Sequence, residues 1–225
     1  MALDSIVITG LGLITPLGNN IEENLIGVRD GRTGIERQGD NSVIQYFGKV
    51  KICPRPELNS RLSGQYKFLN RGGHLALAAS IEALKGHDLS TIPLEERAFY
   101  LATGDLSNTG CEFMYPATQA AADPKIRTID TSRLNRAAIN KVNPFFLLDS
   151  IANNPFSLIS AYFELMGDNT TIASLSPCGG IALDLAARSI KTRQCSIALV
   201  AASTTWINPI SLYEMDGIGL LSRCR

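Results

Sequence analysis

The chain has 225 residues with 21 basic and 21 acidic side chains, and 45% of its residues are apolar. A chain of this length and composition can bury a substantial core, and the composition argues against disorder. The balanced charge lacks the basic excess of proteins that bind nucleic acid or anionic membranes, so we predict neither partner.

The cysteines and the glycines near the start bear on cofactors, metals and location. No two cysteines form a C-x-x-C pair, so neither a structural zinc site nor a thioredoxin-like motif is predicted. Gly10 and Gly12 form G-x-G, but Thr15 stands where a dinucleotide fingerprint needs its third glycine. We therefore predict no cofactor and no metal. The scattered cysteines are typical of reduced cytosolic thiols. They are Cys53, Cys111, Cys178, Cys195 and Cys224.

The first residues also lack a basic region followed by the apolar run of a signal peptide. Apolar stretches are far shorter than the roughly 20 residues of a membrane helix. These two observations predict a cytoplasmic protein.

Four elements are predicted in the first half of the chain. Runs of β-branched and apolar residues closed by glycine indicate buried strands, and asparagine followed by acidic residues indicates a helix start. In chain order they are a buried strand over Ser5 to Thr9, a helix from Asn19 or Asn20 to about Asp30, a buried helix over Gly73 to Leu84, and a buried strand over Ala98 to Thr103.

The second half of the chain is predicted to be mostly regular. Residues 104–142 carry small and charged residues around two prolines and indicate a surface excursion with one or two helices. After them we predict a helix over Ile151 to Met166, a strand over Thr170 to Leu175, a helix over Ile181 to Lys191 and a strand over Cys195 to Ala202. This order predicts a parallel sheet with helices packed against it.

The helix predicted from Ile181 is mainly apolar. Asp184, Arg188 and Lys191 fall on one stripe, and its other positions are apolar or small. We therefore expect most of the circumference of this helix to be buried.

Two stretches of the chain resemble the β-ketoacyl-acyl carrier protein synthases, members of the thiolase fold. The first is IVITGLGLITPLGNNIEENLIGVRDGRTGI, from Ile6 to Ile35. The second runs without a gap from Asn143 to Ser222 and contains NPFFLL, GDNTTIASLSPCGG, LAARSI and GIGLLS. The resemblance implies an α/β chain, the N-terminal half of a thiolase-like fold. A mixed, mostly parallel sheet would pack between helices, in one domain over residues 1–225.

The reactive cysteine of this family carries the acyl chain as a thioester, and it corresponds here to Ser176. The count is gap-free from Gly167 forward or from Arg188 backward. Cys178 is the alternative nucleophile, and it would need an insertion before it and a deletion after it. Ser176 followed by Pro177 also suits a helix N-cap followed by the first helical residue. A thiol at a helix start is a good nucleophile, whereas a serine hydroxyl there needs an adjacent base.

The resemblance also implies where the remaining catalytic groups belong. In the family, the decarboxylating histidines and an accompanying lysine lie in the second half of the fold. The histidines of this chain are His74 and His87, which match neither position and are interpreted as packed or surface residues. We therefore expect no condensation by this chain alone, even after Ser176→Cys.

Three functions follow from the resemblance. The first is a non-condensing, chain-length-factor-like partner in fatty-acid or polyketide synthesis. It would form a homodimer, or a heterodimer with a full-length ketosynthase, through strand 170–175, with acyl carrier protein as a further partner. The second is a serine-dependent acyl transferase or thioesterase acting on acyl carrier protein thioesters, with a base from another chain. The third is an inactive remnant of a longer synthase. Half of a layered fold leaves apolar surface uncovered, which itself predicts a partner.

Overall fold

A computed structural model describes residues 5–37, 46–104, 112–123, 128–146, 148, 151, 153–174, 177–202, 205–207 and 209–222. Eight α-helices are described in these ranges. They are α1 (Ile21–Arg29), α2 (Ser60–Tyr66), α3 (Arg71–Ala83), α4 (Tyr115–Ala121), α5 (Thr131–Lys141), α6 (Asn153–Phe163), α7 (Cys178–Lys191) and α8 (Pro209–Gly217).

The strands form one central sheet and two small antiparallel pairs. The strands are β1 (Ile35–Arg37), β2 (Tyr46–Gly48), β3 (Arg97–Thr103), β4 (Ala122–Asp123), β5 (Thr128–Ile129), β6 (Asn169–Ala173) and β7 (Ile197–Ala202). The central sheet has the order β6–β3–β7 and is parallel throughout. Strands β1 and β2 pair with each other, as do β4 and β5.

Strand β3 lies at the centre of the core, and all seven of its residues are buried. Phe99 and Leu101 point to one face of the sheet and pack with residues of α3 and α6, including Leu77 and Ile159. Ala98, Tyr100 and Ala102 point to the other face and pack against α7 through Ala182 and Ala186. The alternation follows from the period of two in a strand. The helices thus cover both faces of the sheet, which confirms the predicted α/β arrangement.

Local sequence signals explain where the helices begin. Asn20 caps α1 by accepting a hydrogen bond from the Glu23 N–H at 2.8 Å, as its position before two acidic residues predicts. Asn70 caps α3 in the same way through the Gly73 N–H, also at 2.8 Å. Helix α3 therefore starts at Arg71, two residues before the predicted Gly73.

The prediction of a buried strand over Ser5 to Thr9 is wrong. These residues form no ladder with any described strand, and Val7 and Ile8 are 67% and 74% exposed. The next residues lie against α3 instead, so close that a Cβ at Gly10 or Gly12 would overlap a carbonyl oxygen of that helix. An apolar β-branched run becomes a strand only where a partner supplies hydrogen bonds, and none is present among the described residues.

The expectation that most of α7 is buried is also wrong. Ala182, Ala186 and Ser189 are buried against the sheet, but Ile181 and Leu183 are 40% and 55% exposed. The pattern of polar residues shows which stripe of a helix tolerates water, but it does not show how many layers surround the helix. Among the described residues, only the sheet side of α7 is covered.

The excursion predicted over residues 104–142 contains α4 and α5, which contact each other. In α4, Ala117 and Ala121 are buried, whereas α5 has no buried residue. Asp130 caps α5 through the N–H groups of Ser132 and Arg133.

Candidate functional site

The carboxyl ends of the three parallel strands form the candidate site. Thr103 ends β3 and lies opposite Ala173, which ends β6, while Ala202 ends β7 and lies opposite Ala102. Open parallel sheets bind ligands at this edge, because the loops and the starts of the following helices converge there. Helix α7 begins five residues after β6, so its N-terminus belongs to this edge.

Thr103 is the polar residue held most firmly at this edge. It is buried, and its hydroxyl donates to the Ile172 carbonyl oxygen at 3.5 Å. The Ser174 N–H donates to the Thr103 carbonyl oxygen at 3.3 Å, which extends the β3–β6 pairing by one bond. The end of β6 is therefore fixed directly before the segment that carries Ser176.

Ser176 itself lies outside the described residues, so its assignment as the nucleophile position stays a prediction. Pro177 occupies the N-cap position of α7, makes no side-chain cap, and accepts the first helical bond from Ile181 at 2.9 Å. The sequence predicts Ser176 as the N-cap and Pro177 as the first helical residue. In the structure the N-cap is Pro177, one residue later. The helix starts at Cys178, three residues before its predicted start at Ile181.

Cys178, the alternative nucleophile, is the first residue of α7. It is half-buried and packs at the edge of the cluster formed by α7 and β3. The first N–H groups of a helix have no partner within the helix and can donate to an anion. The oxyanion formed when a nucleophile attacks a thioester at this end of α7 could therefore accept these hydrogen bonds.

The structure describes the surroundings of both histidines. His74 lies in α3, stacks on Tyr66 with ring centroids 4.4 Å apart, and places Nε2 3.1 Å from the Tyr66 carbonyl oxygen. His87 follows α3 and lines a cavity together with Arg97, the first residue of β3. It thus lies at the amino end of the sheet, opposite to the end where Thr103 lies.

Two cavities flank the sheet at its opposite ends. The larger, about 480 Å³, contains His87 and the buried Arg97, whose guanidinium donates to the Ile92 carbonyl oxygen and lies 3.6 Å from the Glu164 carboxylate. The smaller, about 110 Å³, lies beside the residues that follow β7 and is lined by Arg71 of α3 together with Thr205 and Ile207. Sequence reasoning missed both arginines, although Arg97 directly precedes a predicted buried strand and Arg71 lies two residues before a predicted buried helix.

Two cysteines outside this edge have perturbed thiols. Burial raises the pKa of the Cys53 thiol, against the opposing effect of the Arg71 guanidinium. Burial also raises the pKa of the Cys195 thiol, and a hydrogen bond with Ser189 partly offsets that rise. Raised pKa values keep both thiols protonated at neutral pH, which is the opposite of what a nucleophile needs.

The match to known sequences settles the family. A sequence profile described as the N-terminal domain of β-ketoacyl synthase matches residues 3–225. The chain belongs to the β-ketoacyl synthase family. It is 28% identical over 216 residues to a putative mitochondrial 3-oxoacyl-[acyl-carrier-protein] synthase of Schizosaccharomyces pombe. The matched region covers 92% of this chain and 48% of that protein. It is also 25% identical over 223 residues to 3-oxoacyl-[acyl-carrier-protein] synthase 1 of Buchnera aphidicola. That match covers 96% of this chain and 51% of the Buchnera protein.

Solved structures of the family have the same fold. The ishigamide ketosynthase/chain length factor superimposes with a TM-score of 0.72 at 18% identity, over 97% of this chain and 51% of that one. A β-ketoacyl synthase from Burkholderia phymatum gives a TM-score of 0.68 at 18% identity, over 96% of this chain and 50% of that one. These matches confirm the predicted thiolase-like fold. The chain spans about half the length of the synthases that it matches.

Two features are absent from the described part of the chain. No described helix is both long and apolar enough to cross a bilayer. Likewise, no three His, Cys, Asp or Glu side chains of the described part of the chain are grouped as a metal site requires.

Proposed function

We propose that this member of the β-ketoacyl synthase family is a non-condensing subunit of fatty-acid or polyketide synthesis in the cytoplasm. In this role it pairs with a full-length ketosynthase through the free edge of β6, and the pair works on acyl groups carried by acyl carrier protein. The observation that carries the proposal is the edge of β6 that no described strand covers, directly before the Ser176 position. This part of the chain has a strand edge that can pair with another strand, followed by a serine where condensation needs a thiol.

The backbone of β6 is suited to pairing on its outer side. One side of the strand is occupied by β3, and no described strand lies on the other. The Asp168 carbonyl oxygen accepts from Phe99, and the Ser174 N–H donates to Thr103. Because bonding residues alternate along a strand, the even-numbered residues face β3. The backbone groups of Asn169, Thr171 and Ala173 therefore point to the open edge.

The chemistry of the site supports the non-condensing part of the proposal. A serine hydroxyl needs a neighbouring base before it can attack a thioester. His74 contacts Tyr66 and His87 lies at the amino end of the sheet. The described contacts of these histidines are with Tyr66 and with the cavity at the amino end, and not with Thr103 or Cys178 at the carboxyl edge. The similarity to a protein named ketosynthase/chain length factor adds support for pairing, although the likeness itself concerns the fold.

Thr171→Pro tests the pairing. Proline removes an N–H that faces the open edge and leaves the hydrogen bonds to β3 in place, as is tolerated on edge strands. The tagged chain is co-expressed in turn with each full-length β-ketoacyl synthase of the same genome, and the complex is quantified by mass spectrometry. We expect one synthase to co-purify with the wild type and with the matched control Thr171→Ala, and to be lost with Thr171→Pro. Equal recovery with Thr171→Pro and Thr171→Ala would contradict pairing through β6.

Ser176→Cys tests the absence of condensation. The variant chain alone is incubated with acyl- and malonyl-acyl carrier protein, and both the products and the protein are analysed by mass spectrometry. We expect an acyl adduct at position 176 at most, and no ketoacyl product, because a thiol by itself does not decarboxylate the malonyl thioester. Formation of ketoacyl product by this variant alone would overturn the non-condensing assignment. A stable acyl adduct on the wild-type Ser176 would instead favour a serine-dependent acyl transferase.

A further inference from the structure

The cavity of about 480 Å³ lies at the amino end of the sheet, opposite to the candidate site. Its walls come from the start of α2, the loop after α3, the first residue of β3 and the end of α6. It therefore lies between described segments of the chain and does not depend on an uncovered outer surface. A volume of this size falls in the range of small-molecule sites.

One residue of this cavity carries a charge that is almost completely buried. The Arg97 side chain is 7% exposed, and its Nε and Nη2 both donate to the Ile92 carbonyl oxygen, at 3.0 and 2.8 Å. A buried guanidinium is stable only when acceptors and opposite charges surround it. The carbonyl group is neutral, so the charge of Arg97 still needs a counter-ion.

The counter-ion that the described residues provide is a weak one. The Glu164 carboxylate lies 3.6 Å from Nη1 of Arg97, which is beyond hydrogen-bond distance, and the Glu164 side chain is 67% exposed. The exposed Asp88 carboxylate also acts on Arg97, at a distance longer than that of an ion pair. Since water screens exposed carboxylates, the charge of Arg97 is only partly compensated. The cavity thus favours an anion beside Arg97.

The backbone at Glu164 has a conformation that glutamate rarely adopts. Glu164 follows the last residue of α6 and has a φ of 54°, in the left-handed region that favours glycine. The Leu165 N–H closes the helix end by donating to the Ser160 carbonyl oxygen at 2.9 Å. The helix end therefore fixes the backbone, and only the exposed side chain of Glu164 meets Arg97. That side chain can turn toward water when another anion takes its place.

Two other side chains of the cavity supply hydrogen-bond donors. Asn59 accepts the Leu62 N–H through its Oδ1 at 2.9 Å, so its Nδ2 remains as a donor. Nδ1 of His87 is buried and has no partner among the described residues. Because a buried N–H without a partner is rarer than a buried acceptor without one, the ring proton belongs on Nε2, which then donates. These groups add donors for an anion to the charge of Arg97.

The remaining residues limit which anion fits. The carboxylates of Glu57 and Glu164 are exposed at the cavity and repel a second or third negative charge, which disfavours phosphate and nucleotides. Leu62 and Phe163 form an apolar part of the wall. The lining as a whole is more polar than apolar, which suits a short chain better than a long acyl chain.

We propose that this cavity binds a small monocarboxylate with a short apolar chain. The ligand carboxylate lies on Arg97, its chain lies against Leu62 and Phe163, and Glu164 turns toward water. The cavity is at the opposite end of the sheet from Thr103, so the inference goes beyond the proposed function.

Hexanoate is the probe for this site, and hexanol and hexylammonium are its uncharged and cationic counterparts. Each is titrated into the isotope-labelled full chain and followed by NMR, above all through the Arg97 Nε–H signal, which Arg97→Lys identifies by its loss. We expect hexanoate to shift this signal and to bind roughly tenfold or more tightly than hexanol, because the alcohol lacks the charge-assisted hydrogen bonds. Absence of hexanoate binding, equal binding of hexanol or a preference for hexylammonium would overturn the assignment. So would a shift at Thr103 without one at Arg97.

Glu164→Gly tests the exchange of counter-ions. Glycine suits the backbone at this position, and the variant removes the carboxylate that competes with the ligand. We expect hexanoate to bind roughly tenfold more tightly, because a like charge is removed from the site. The matched control is Arg193→Gly at the end of α7, where φ is 58° and the Gln194 N–H donates to the Ser189 carbonyl oxygen in the same way. This control should leave the affinity unchanged, and an unchanged or weaker affinity of Glu164→Gly would contradict the proposal.

Ala161→Trp tests the location without changing a charge. Ala161 is an exposed residue of α6 that lines the cavity, so a tryptophan there fills the space and should abolish hexanoate binding. Ala120→Trp on α4, also at an exposed alanine but outside the cavity, should bind hexanoate as the wild type does. Wild-type affinity in Ala161→Trp would show that the ligand binds elsewhere. Synthase recovery with the Thr171 variants is measured separately, so failure of the cavity and failure of the proposed function are distinguishable.

Discussion

Strand β3 and the segment from Ser5 to Thr9 are similar in sequence and opposite in structure. Both are short runs rich in apolar and β-branched or aromatic residues that end near a glycine. Every residue of β3 is buried between two strands and two layers of helices, whereas Val7 and Ile8 are largely exposed. Composition alone therefore predicts the tendency to be extended, and the presence of a partner decides whether that tendency becomes a buried strand.

The residues that follow this segment are held against α3, partly by polar contacts. The Glu82 carboxylate of α3 accepts hydrogen bonds from the N–H groups of Leu13 at 2.8 Å and Ile21 at 2.6 Å. Gly10 and Gly12 allow the backbone to approach the same helix. The chain thus runs beside α3 from Gly10 onward, while the apolar side chains of Val7 and Ile8 stay uncovered.

The largest expected effect comes from truncating the centre of β3. Phe99 is fully buried and stacks on Phe156 with ring centroids 5.0 Å apart. Phe99→Ala removes this contact and leaves a cavity, so we expect the free energy of unfolding to fall by about 3–5 kcal/mol. Urea denaturation followed by circular dichroism measures the change.

The matched change in the N-terminal segment is Ile8→Ala. Since Ile8 is 74% exposed, we expect its effect on the free energy of unfolding to stay within about 0.5 kcal/mol. A loss of the same size as for Phe99→Ala would mean that the segment is buried in solution. That result would break the contrast between the two regions and identify Ile8 as part of an interface.

The sequence predicted the central sheet well because its elements carry strong local signals. Strand β3 was predicted to start at Ala98 and starts at Arg97, and β7 lies within the predicted Cys195 to Ala202. The hairpin of β1 and β2 was not predicted, because its strands have three residues each and no apolar alternation. The exposure of Leu183 and its neighbours on α7 was not predicted for a different reason. The periodicity of apolar residues in a helix does not show how many layers of structure surround that helix.

The candidate site could be located from the sequence but not built from it. A gap-free alignment placed Ser176 after β6, and the structure confirms a strand and a helix on either side of it. The burial of Thr103 and the cavity beside Arg71 depend on elements that are distant in the chain, so no local pattern indicates them. Position along the chain was thus predictable, and the contacts between segments were not.

A smaller expected effect is a difference in the reactivity of two thiols, one beside the sheet and one in the region that precedes it. Cys195 lies just before β7 and is 4% exposed, whereas Cys53 lies in the irregular segment after β2 and is half-buried. The pKa of both thiols is raised by burial, so each holds less thiolate at neutral pH than a free cysteine. We expect alkylation of both by iodoacetamide to be slow at neutral pH and to accelerate as the pH rises through their raised pKa values. Cys195 should be the slower of the two, because reagent reaches it only when the sheet opens. Peptide mass spectrometry follows each site, with the urea-unfolded chain as the control in which the two rates converge. Equal rates in the folded chain would show that the amino end of β7 opens as readily as the segment around Cys53.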